Sequence, residues 1–430
     1  MRFCLAGFLI FLTLRESVAF GPANEHGRVS VKSNPSPNVH REYHRALKKY
    51  GFQTSYQQPV SYNKFQTPRR RQIGETGASI TNDTSAYGSV VTVGEGMNAK
   101  SFNILFDTGS ADFWLYSTLF LDPEQFEGNM SHSIYDPHNS ITAISADQVF
   151  VNIYGLGDAG GVVFLDTISF AGFELKNQSV EATMFTDPLF VNPQSFELDG
   201  IFGLYALGPT NVFPPPQNMI LESMFFTGSN TPKEKVFTAL LTRPGEPDGF
   251  YTFGFIDQDF IGNTTINFTP FAQTTVKNVT GFWNVPVPAA IINGERVANN
   301  DGLAIIDTGT TLILLPDNIL EVIYKPLNGV FDNTTGLWLF PSNFTENQLP
   351  SVNLPVAEFN LTLQPTDIIF DNSSIPGMVV GSIQSNTGTN ISVYGDIWLR
   401  NVYAIFDLGS GNASDFQFGF VPRQPSIQNM

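Results

Sequence analysis

The sequence predicts a mainly β fold of two lobes, related by a pseudo-two-fold axis, with a central cleft between them. Val, Thr, Phe and Tyr are frequent and turn residues recur at short intervals, which is typical of β-strands. After residue 71 few helical patterns occur, and the clearest lie at roughly 217–225 and at 317–324, where Asp317 follows Pro316 and is the expected cap. The third observation is a duplication, since Asp-Thr-Gly at 107–109 recurs at 307–309.

Each copy of the duplicated segment follows an apolar run. Phe102 to Phe106 precede the first acid, and Leu303 to Ile306 precede the second. Both runs predict a buried strand that enters a tight turn containing glycine. Lobes related by a two-fold axis would bring the two turns together and place the carboxylates of Asp107 and Asp307 opposite each other.

Two facing carboxylates cannot both ionise freely. At about 4 Å and an effective dielectric of roughly 20, like unit charges repel by about 4 kcal/mol, which corresponds to a pKa difference of about three. The pair is therefore expected to share one proton, so that identical side chains supply an acid and a base. The ionised oxygen can take a proton from water while the protonated one hydrogen-bonds the carbonyl under attack.

The residues that surround each acid suit this chemistry. The hydroxyls of Ser110 and Thr310 can hydrogen-bond the outer carboxylate oxygens and orient them. A single Asp-Thr-Gly is weak evidence, but two copies in matching context indicate a catalytic pair. Supporting residues are expected at equivalent positions of both copies: Thr108, Gly109, Ser110, Thr308, Gly309 and Thr310.

The twin turns resemble those of the pepsin-like aspartic proteases, and the resemblance covers most of the chain after about residue 75. Asp107 to Trp114 is similar to the first active-site turn of that family, and Phe150 to Ile168 resembles its flap hairpin. Leu198 to Leu204 and Val393 to Ile397 resemble the paired apolar segments that pack behind the turns. The lack of cysteine after the N-terminus is closest in character to fungal secreted members.

The resemblance implies an aspartic endopeptidase that hydrolyses peptide bonds at acid pH without a cofactor, a metal or a covalent intermediate. Asp107 and Asp307 would activate water, and apolar residues are expected around the scissile bond. The hydroxyl of Tyr154 would reach the indole N-H of Trp114. Leu156 stands where the family often has a hydroxyl, which leaves subsite preference open. The expected flap and substrate-binding residues are Tyr154, Gly155, Asp158 and Trp114.

The first 71 residues predict targeting and processing segments. Residues 1–19 have a basic start, an apolar run and a small residue at Ala19, which is typical of a secretory signal. Residues 20–71 read as a basic propeptide that ends in three arginines, so cleavage after Arg71 is expected; a basic surface loop is the alternative. The predicted lobes then span 72–255 and 256–430. A secreted, extracellular zymogen is favoured over a vacuolar one.

Charge divides the chain at the same point. Residues 1–71 hold 12 of the 22 Lys and Arg residues and 3 of the 39 acidic ones, a net charge of +9, whereas the remaining 10 basic and 36 acidic residues carry −26. We expect the basic propeptide, including Lys48 and Lys49, to lie across an acidic cleft as an inhibitor and to leave when carboxylates are protonated. The acidic remainder argues against nucleic acid as a partner.

Other functions fit the sequence less well. Cys4 is the only cysteine, and His132 and His138 are the only histidines after residue 71, which disfavours thiol catalysis and His or Cys metal sites. No later apolar stretch approaches the ~20 residues of a membrane-spanning helix. A glycosidase also uses two carboxylates, but it would not explain the twin turns. A non-catalytic peptide-binding protein of the same fold is the other alternative. We expect a monomer that acts on proteins or peptides.

The chain contains many N-x-S/T sequons, consistent with glycosylation in the secretory route. The candidate asparagines are Asn82, Asn129, Asn177, Asn263, Asn267, Asn278, Asn333, Asn343, Asn360, Asn372, Asn390 and Asn412.

Overall fold

A computed structural model describes residues 27–33, 49, 86–121, 132–154, 157–187, 190, 197–228, 231–272, 281–387 and 390–423. The predicted signal, the Arg71 cleavage site, Lys48, and Gly155 with Leu156 at the flap tip lie outside these residues. So do the sequon residues Asn82, Asn129 and Asn278.

The fold is mostly β, as predicted. The strands of the first half are β1 (Gly27–Ser33), β2 (Tyr87–Val93), β3 (Lys100–Asp107), β4 (Phe113–Leu115), β5 (Ile144–Tyr154), β6 (Gly157–Phe170), β7 (Phe173–Thr186), β8 (Gly200–Gly203), β9 (Val212–Phe213), β10 (Val236–Leu240) and β11 (Gly249–Phe253). Those of the second half are β12 (Asn267–Pro270), β13 (Asn284–Pro286), β14 (Ala289–Ile292), β15 (Glu295–Ala298), β16 (Leu303–Ile306), β17 (Ile313–Leu315), β18 (Val330–Asp332), β19 (Leu337–Pro341), β20 (Val352–Asn353), β21 (Ile369–Asn372), β22 (Met378–Gly381), β23 (Ile383–Ser385), β24 (Ser392–Tyr394), β25 (Val402–Asp407) and β26 (Gln417–Pro422).

Helices in the described residues are short. The α-helices are α1 (Ile220–Glu222), which continues as a π-helical turn (Ser223–Thr227), α2 (Gln258–Ile261), α3 (Asp317–Tyr324) and α4 (Asp396–Leu399). Single 3-10 turns lie at Gly96–Asn98, Lys325–Leu327, Glu346–Gln348, Pro365–Ile368 and Ala413–Asp415. Within this part of the chain, no helix is both long and apolar enough to cross a membrane.

Both predicted helices exist, with two corrections. The first begins at Ile220 rather than Gln217, because Gln217 exchanges hydrogen bonds with the Thr210 hydroxyl and is held outside the helix. Asp317 is the first helical residue and not the cap, so that prediction was wrong. Pro316 takes the cap position with an extended backbone, and its carbonyl accepts the first helical hydrogen bonds.

The two halves repeat one arrangement of three strands. In the first half β3 pairs in parallel with β8, and β8 pairs antiparallel with β4. In the second half β16 pairs in parallel with β24, and β24 pairs antiparallel with β17. The apolar segments predicted to pack behind the turns therefore lie beside the strands that lead into them. This repeat places the two Asp-Thr-Gly turns at equivalent points of the fold.

A sheet built from both halves joins them. Strand β10 of the first half pairs with β25 of the second, which pairs in turn with β26. On its other side β10 pairs with β11, and β1 lies between β11 and β2. Buried aromatic rings cross the same junction, since Phe237 stacks on Phe406 at 4.5 Å between ring centroids. The sheet and this packing hold the two turns in a defined relative position.

Candidate active site

The two Asp-Thr-Gly turns meet and are tied together by reciprocal hydrogen bonds. The Thr108 N-H donates to Thr308 Oγ1 at 3.1 Å, and the Thr308 N-H donates to Thr108 Oγ1 at 3.0 Å. Each threonine hydroxyl also donates to a carbonyl of the opposite strand, Ile306 O at 3.0 Å and Phe106 O at 2.7 Å. All of these groups are buried. The hydrogen bonds of the two threonines thus hold the turns together and set the distance between the two acids.

Asp107 and Asp307 are buried and held by equivalent contacts. Ser110 Oγ donates to Asp107 Oδ2 at 2.6 Å, and the Thr310 hydroxyl donates to Asp307 Oδ2. The turn glycines add one backbone bond each, from Gly109 N to Asp107 Oδ1 and from Gly309 N to Asp307 Oδ1, both at 2.9 Å. Fixed donors of this kind orient the carboxylates without a later cost of reorganisation.

The turn glycines also make room for the opposite acid. A Cβ placed on Gly109 would lie 2.6 Å from Asp307 Oδ1, and one placed on Gly309 would collide with Asp107 Oδ1. Any side chain at either position would therefore push the two carboxylates apart. The close approach, rather than an unusual backbone angle, explains why both positions are glycine.

The ammonium group of Lys49 occupies the space between the two acids. Its Nζ lies 2.6 Å from Asp107 Oδ1 and 2.8 Å and 3.0 Å from the two oxygens of Asp307. The lysine side chain is itself only 5% exposed. Where Nζ lies, it takes the hydrogen bonds that a water molecule or a substrate carbonyl would otherwise make to the two carboxylates.

The electrostatics of the pair follow from burial. Burial raises the pKa of the Asp107 carboxyl, Lys49 opposes the rise, and the charge of Asp307 adds to it. Two close carboxylates in such an environment hold one proton between them more readily than two separate ones. The arrangement can therefore present one acidic and one basic oxygen on the same side of the turns.

The flap hairpin covers the turns. It consists of β5 and β6, with Tyr154 paired to Gly157 at the end of the described strands. Tyr154 is buried, and its hydroxyl accepts a 3.0 Å hydrogen bond from Trp114 Nε1. Asp158 is exposed on the second strand of the hairpin. The sequence-predicted flap residues that the structure describes thus lie at the entrance, with Trp114 behind Tyr154.

A cavity of about 510 Å³ opens between the flap and the second half. Its walls include Ser110, Asp112 and Tyr154 from the first half and Gly281 and Phe282 from the second. A volume of this size is typical of ligand sites. Among the described residues, no group of three or more His, Cys, Asp or Glu side chains could hold a metal ion.

Sequence reasoning missed a second pair of buried acids beside the flap. Asp112 and Glu181 contact each other, with Asn152 and Asn211 as partners. Asp112 lies inside the first turn segment, and Glu181 lies between Val180 and Ala182 in the second half of β7. An acid with an apolar residue on either side was the one available signal, because charged residues are rarely buried without a partner.

Comparisons with known proteins agree with this geometry. The model of the family described as eukaryotic aspartyl protease matches residues 86–414. Aspergillopepsin-1 of Aspergillus pseudoglaucus is 30% identical over 357 residues, covering 81% of this chain and 84% of the relative. Penicillopepsin-1 of Penicillium janthinellum is 30% identical over 351 residues, covering 81% and 98%. Aspergillopepsin-1 of Emericella nidulans is 32% identical over 358 residues, covering 79% and 83%.

Proposed function

Because this chain belongs to the eukaryotic aspartyl protease family and is an aspartic-type endopeptidase, we propose that it is a secreted zymogen whose mature form cleaves peptide bonds at acid pH through Asp107 and Asp307. The observation that carries the proposal is the symmetric pair of buried carboxylates, each held by its own hydroxyl and backbone N-H. Fixed, facing acids of this kind suit a shared-proton mechanism.

The proposed reaction needs only water and the two acids. The ionised carboxylate takes a proton from water as the water oxygen attacks the scissile carbonyl, and the protonated carboxyl donates to the carbonyl oxygen. The tetrahedral diol that results then collapses: one diol hydroxyl returns its proton to the ionised carboxylate as the C=O bond re-forms, the C-N bond breaks, and the leaving nitrogen receives a proton from the protonated carboxyl. General acid and base steps of this kind each contribute about 10²–10⁴-fold to the rate.

The cleft is proposed to bind an extended peptide. Such a chain can offer main-chain hydrogen bonds to both walls and place alternate side chains in pockets. The ring of Tyr154 forms a wall next to the dyad and is supported by Trp114. Gly155 and Asp158 are proposed to contact substrate from the flap, and apolar residues are expected on either side of the scissile bond.

The propeptide is proposed to inhibit the enzyme before processing. Two contacts support this: Lys49 Nζ bridges the dyad, and β1 adds a strand between β11 and β2. Substrate and Lys49 would compete for the same carboxylate oxygens. We propose that cleavage at Arg71 follows acidification, that the first 19 residues direct secretion, and that the mature enzyme is a monomer with lobes at 72–255 and 256–430.

Acid activation provides the first test of the proposed function. Recombinant zymogen treated at acid pH is expected to cleave a denatured protein at acid but not at neutral pH. Pepstatin, a transition-state inhibitor of aspartic proteases, is expected to block the cleavage. Peptide products mapped by mass spectrometry would report the residues around the cut. A processed, folded protein that cleaves nothing at any pH would overturn the proposal and favour a peptide-binding role.

Glycosylation is a second expected outcome of secretion. The described sequon asparagines are exposed except for Asn267, which is half-buried in β12 and paired with Phe420. We therefore expect lower occupancy at Asn267 than at the exposed sites, to be measured by glycosidase treatment in heavy-oxygen water and peptide mass spectrometry. Full occupancy at Asn267 with empty exposed sites would contradict this. The exposed sites are Asn177, Asn263, Asn333, Asn343, Asn360, Asn372, Asn390 and Asn412.

A further inference from the structure

Four polar side chains, three of them buried, form a cluster between the flap strand β5 and the first catalytic turn. This flap-base cluster consists of Asp112, Asn152, Glu181 and Asn211. Glu181 is fully buried on β7, where it is paired with Trp114 of β4 and Val163 of β6. Asp112 and Asn152 are each 1% exposed. Two acids at this depth require partners that offset their loss of hydration.

The hydrogen bonds of the cluster connect three parts of the first half. Asn152 Nδ2 donates to Glu181 Oε2 at 3.1 Å, and the Phe113 N-H also donates to the Glu181 carboxyl. The N-H and the side-chain amide of Asn211 donate to the two oxygens of Asp112 at 2.7 Å and 2.8 Å. The Asp112 and Glu181 carboxyls hydrogen-bond each other. Two carboxyl groups can do so only if one of them carries a proton.

The surroundings assign that proton to Glu181. Burial raises the pKa of the Glu181 carboxyl well above its usual range, and the negative charge of Asp112 raises it further. Burial also raises the pKa of Asp112, but the bonds from Glu181 and Asn211 favour its ionised form. Asp112 therefore accepts from three donor groups as a carboxylate, while Glu181 donates as a neutral acid. The otherwise unpartnered Glu181 Oε1 is the oxygen available to carry the proton.

We propose that Glu181 is a positioning residue for proteolysis, which, in its protonated form, donates to Asp112, accepts from Asn152 and so ties the flap to the first catalytic turn. The inference rests on the proposed function. Asn152 precedes the flap residue Tyr154 by two positions, and Asp112 follows the catalytic Asp107 by five. Trp114, which donates to the Tyr154 hydroxyl, is the strand neighbour of Glu181.

The proton makes this tie dependent on pH. Asp112 acts on Glu181 from the turn, and Tyr154 of the flap strand is the titratable group coupled to both acids. The neighbouring strands β4 and β6 present Trp114 and Val163 beside Glu181. Burial keeps the pKa of the Tyr154 hydroxyl well above its usual range, so it stays neutral. Because the folded-state pKa of Glu181 is raised, this hydrogen-bonded link is fully present below the ordinary Glu pKa of about 4.3 and is lost as pH rises through the raised value. Two ionised carboxylates would then repel at the flap base.

The test compares two variants of the mature, acid-activated enzyme on a peptide substrate. In Glu181→Gln the amide donates to Asp112 and its oxygen accepts from Asn152 at any pH. We expect this variant to keep its activity at acid pH. One pH unit above the pH at which wild-type kcat/KM has fallen by half on the neutral side, the variant should have at least about 5-fold higher kcat/KM than wild type. Glu181→Leu removes both bonds, and we expect a loss of about 10–100-fold at all pH values, since small misplacements of catalytic groups cost this much.

Asp166→Asn is the matched control. Asp166 is an equally buried carboxylate of the same half, held by Tyr135 and Thr142 away from the flap-base cluster. In Asp166→Asn, kcat/KM is expected to fall over the same pH range as in wild type when pH rises to neutral, even if the substitution lowers the melting temperature. Urea unfolding at acid and at neutral pH is the second measurement. Between acid and neutral pH, the free energy of unfolding is expected to fall less in Glu181→Gln than in wild type.

The outcomes separate this inference from the proposed function. An inactive wild-type enzyme would refute the proposed function and with it the role of Glu181. If wild type is active, and Glu181→Gln shows the same fall of kcat/KM toward neutral pH and the same stability at neutral pH, only the role of Glu181 is refuted. A folded Glu181→Gln that loses acid activity as severely as Glu181→Leu would also refute it, because the amide preserves both hydrogen bonds.

Discussion

Asp107→Ala and Asp307→Ala are each expected to lower kcat/KM by about 10⁴-fold or more, because each removes a general acid or base from the shared-proton pair. The remaining carboxyl would titrate alone and could not serve as acid and base in the same step. Initial rates on a fluorogenic peptide across acid pH would measure the loss. Circular dichroism would show whether each variant is folded.

Asparagine variants sharpen this prediction. Asp107→Asn and Asp307→Asn keep the side-chain size and can keep the bonds from Ser110 and Thr310, so a loss of similar size would be due to the missing charge rather than to a collapsed turn. Asp136→Asn, in a surface turn where the carboxylate accepts from the His138 N-H, is the control and should retain activity. Substantial turnover by either dyad variant would overturn the mechanism.

Lys49→Met is expected to speed activation of the zymogen, which is the second largest effect that we predict. Methionine keeps much of the apolar stem but removes the ammonium that contacts both acids. Breaking a buried ion pair costs about 3–5 kcal/mol, or roughly a factor of 10² to 5 × 10³ in the equilibrium between the bound and released propeptide. The variant should therefore activate faster and at higher pH, as measured by the appearance of peptide-cleaving activity after a pH jump.

The direction of the pH effect follows from linkage. The charge of Lys49 lowers the pKa of the Asp107 carboxyl while the propeptide is bound. Release of the propeptide lets that pKa rise, so release is accompanied by proton uptake and is promoted as pH falls. Removing Lys49 should weaken this dependence. Lys325→Met, which removes an exposed lysine paired with Glu321, is the charge-matched control. Activation kinetics that are the same for wild type and Lys49→Met would count against the proposed inhibition.

Much of the candidate site could be predicted because most of its residues lie within short contiguous motifs. The strand-turn pattern around Asp107 and Asp307, the hydroxyls three residues later and the glycines all follow from neighbouring residues. The pairing of the two turns could be inferred because the motif occurs twice. The start of the first helix at Ile220 was less predictable, since hydrogen bonds between Gln217 and Thr210, seven residues earlier, keep Gln217 outside the helix.

The sequence by itself determined the mostly β fold and the family, because strand periodicity and the twin motifs depend only on residue identity and order. Which groups face each other was decided by the tertiary structure. The pairing of β10 with β25, the reach of Lys49 to both acids and the contact of Glu181 with Asp112 join residues far apart in the chain. Such contacts depend on how the sheets pack, and packing also sets the burial that shifts the pKa of each acid.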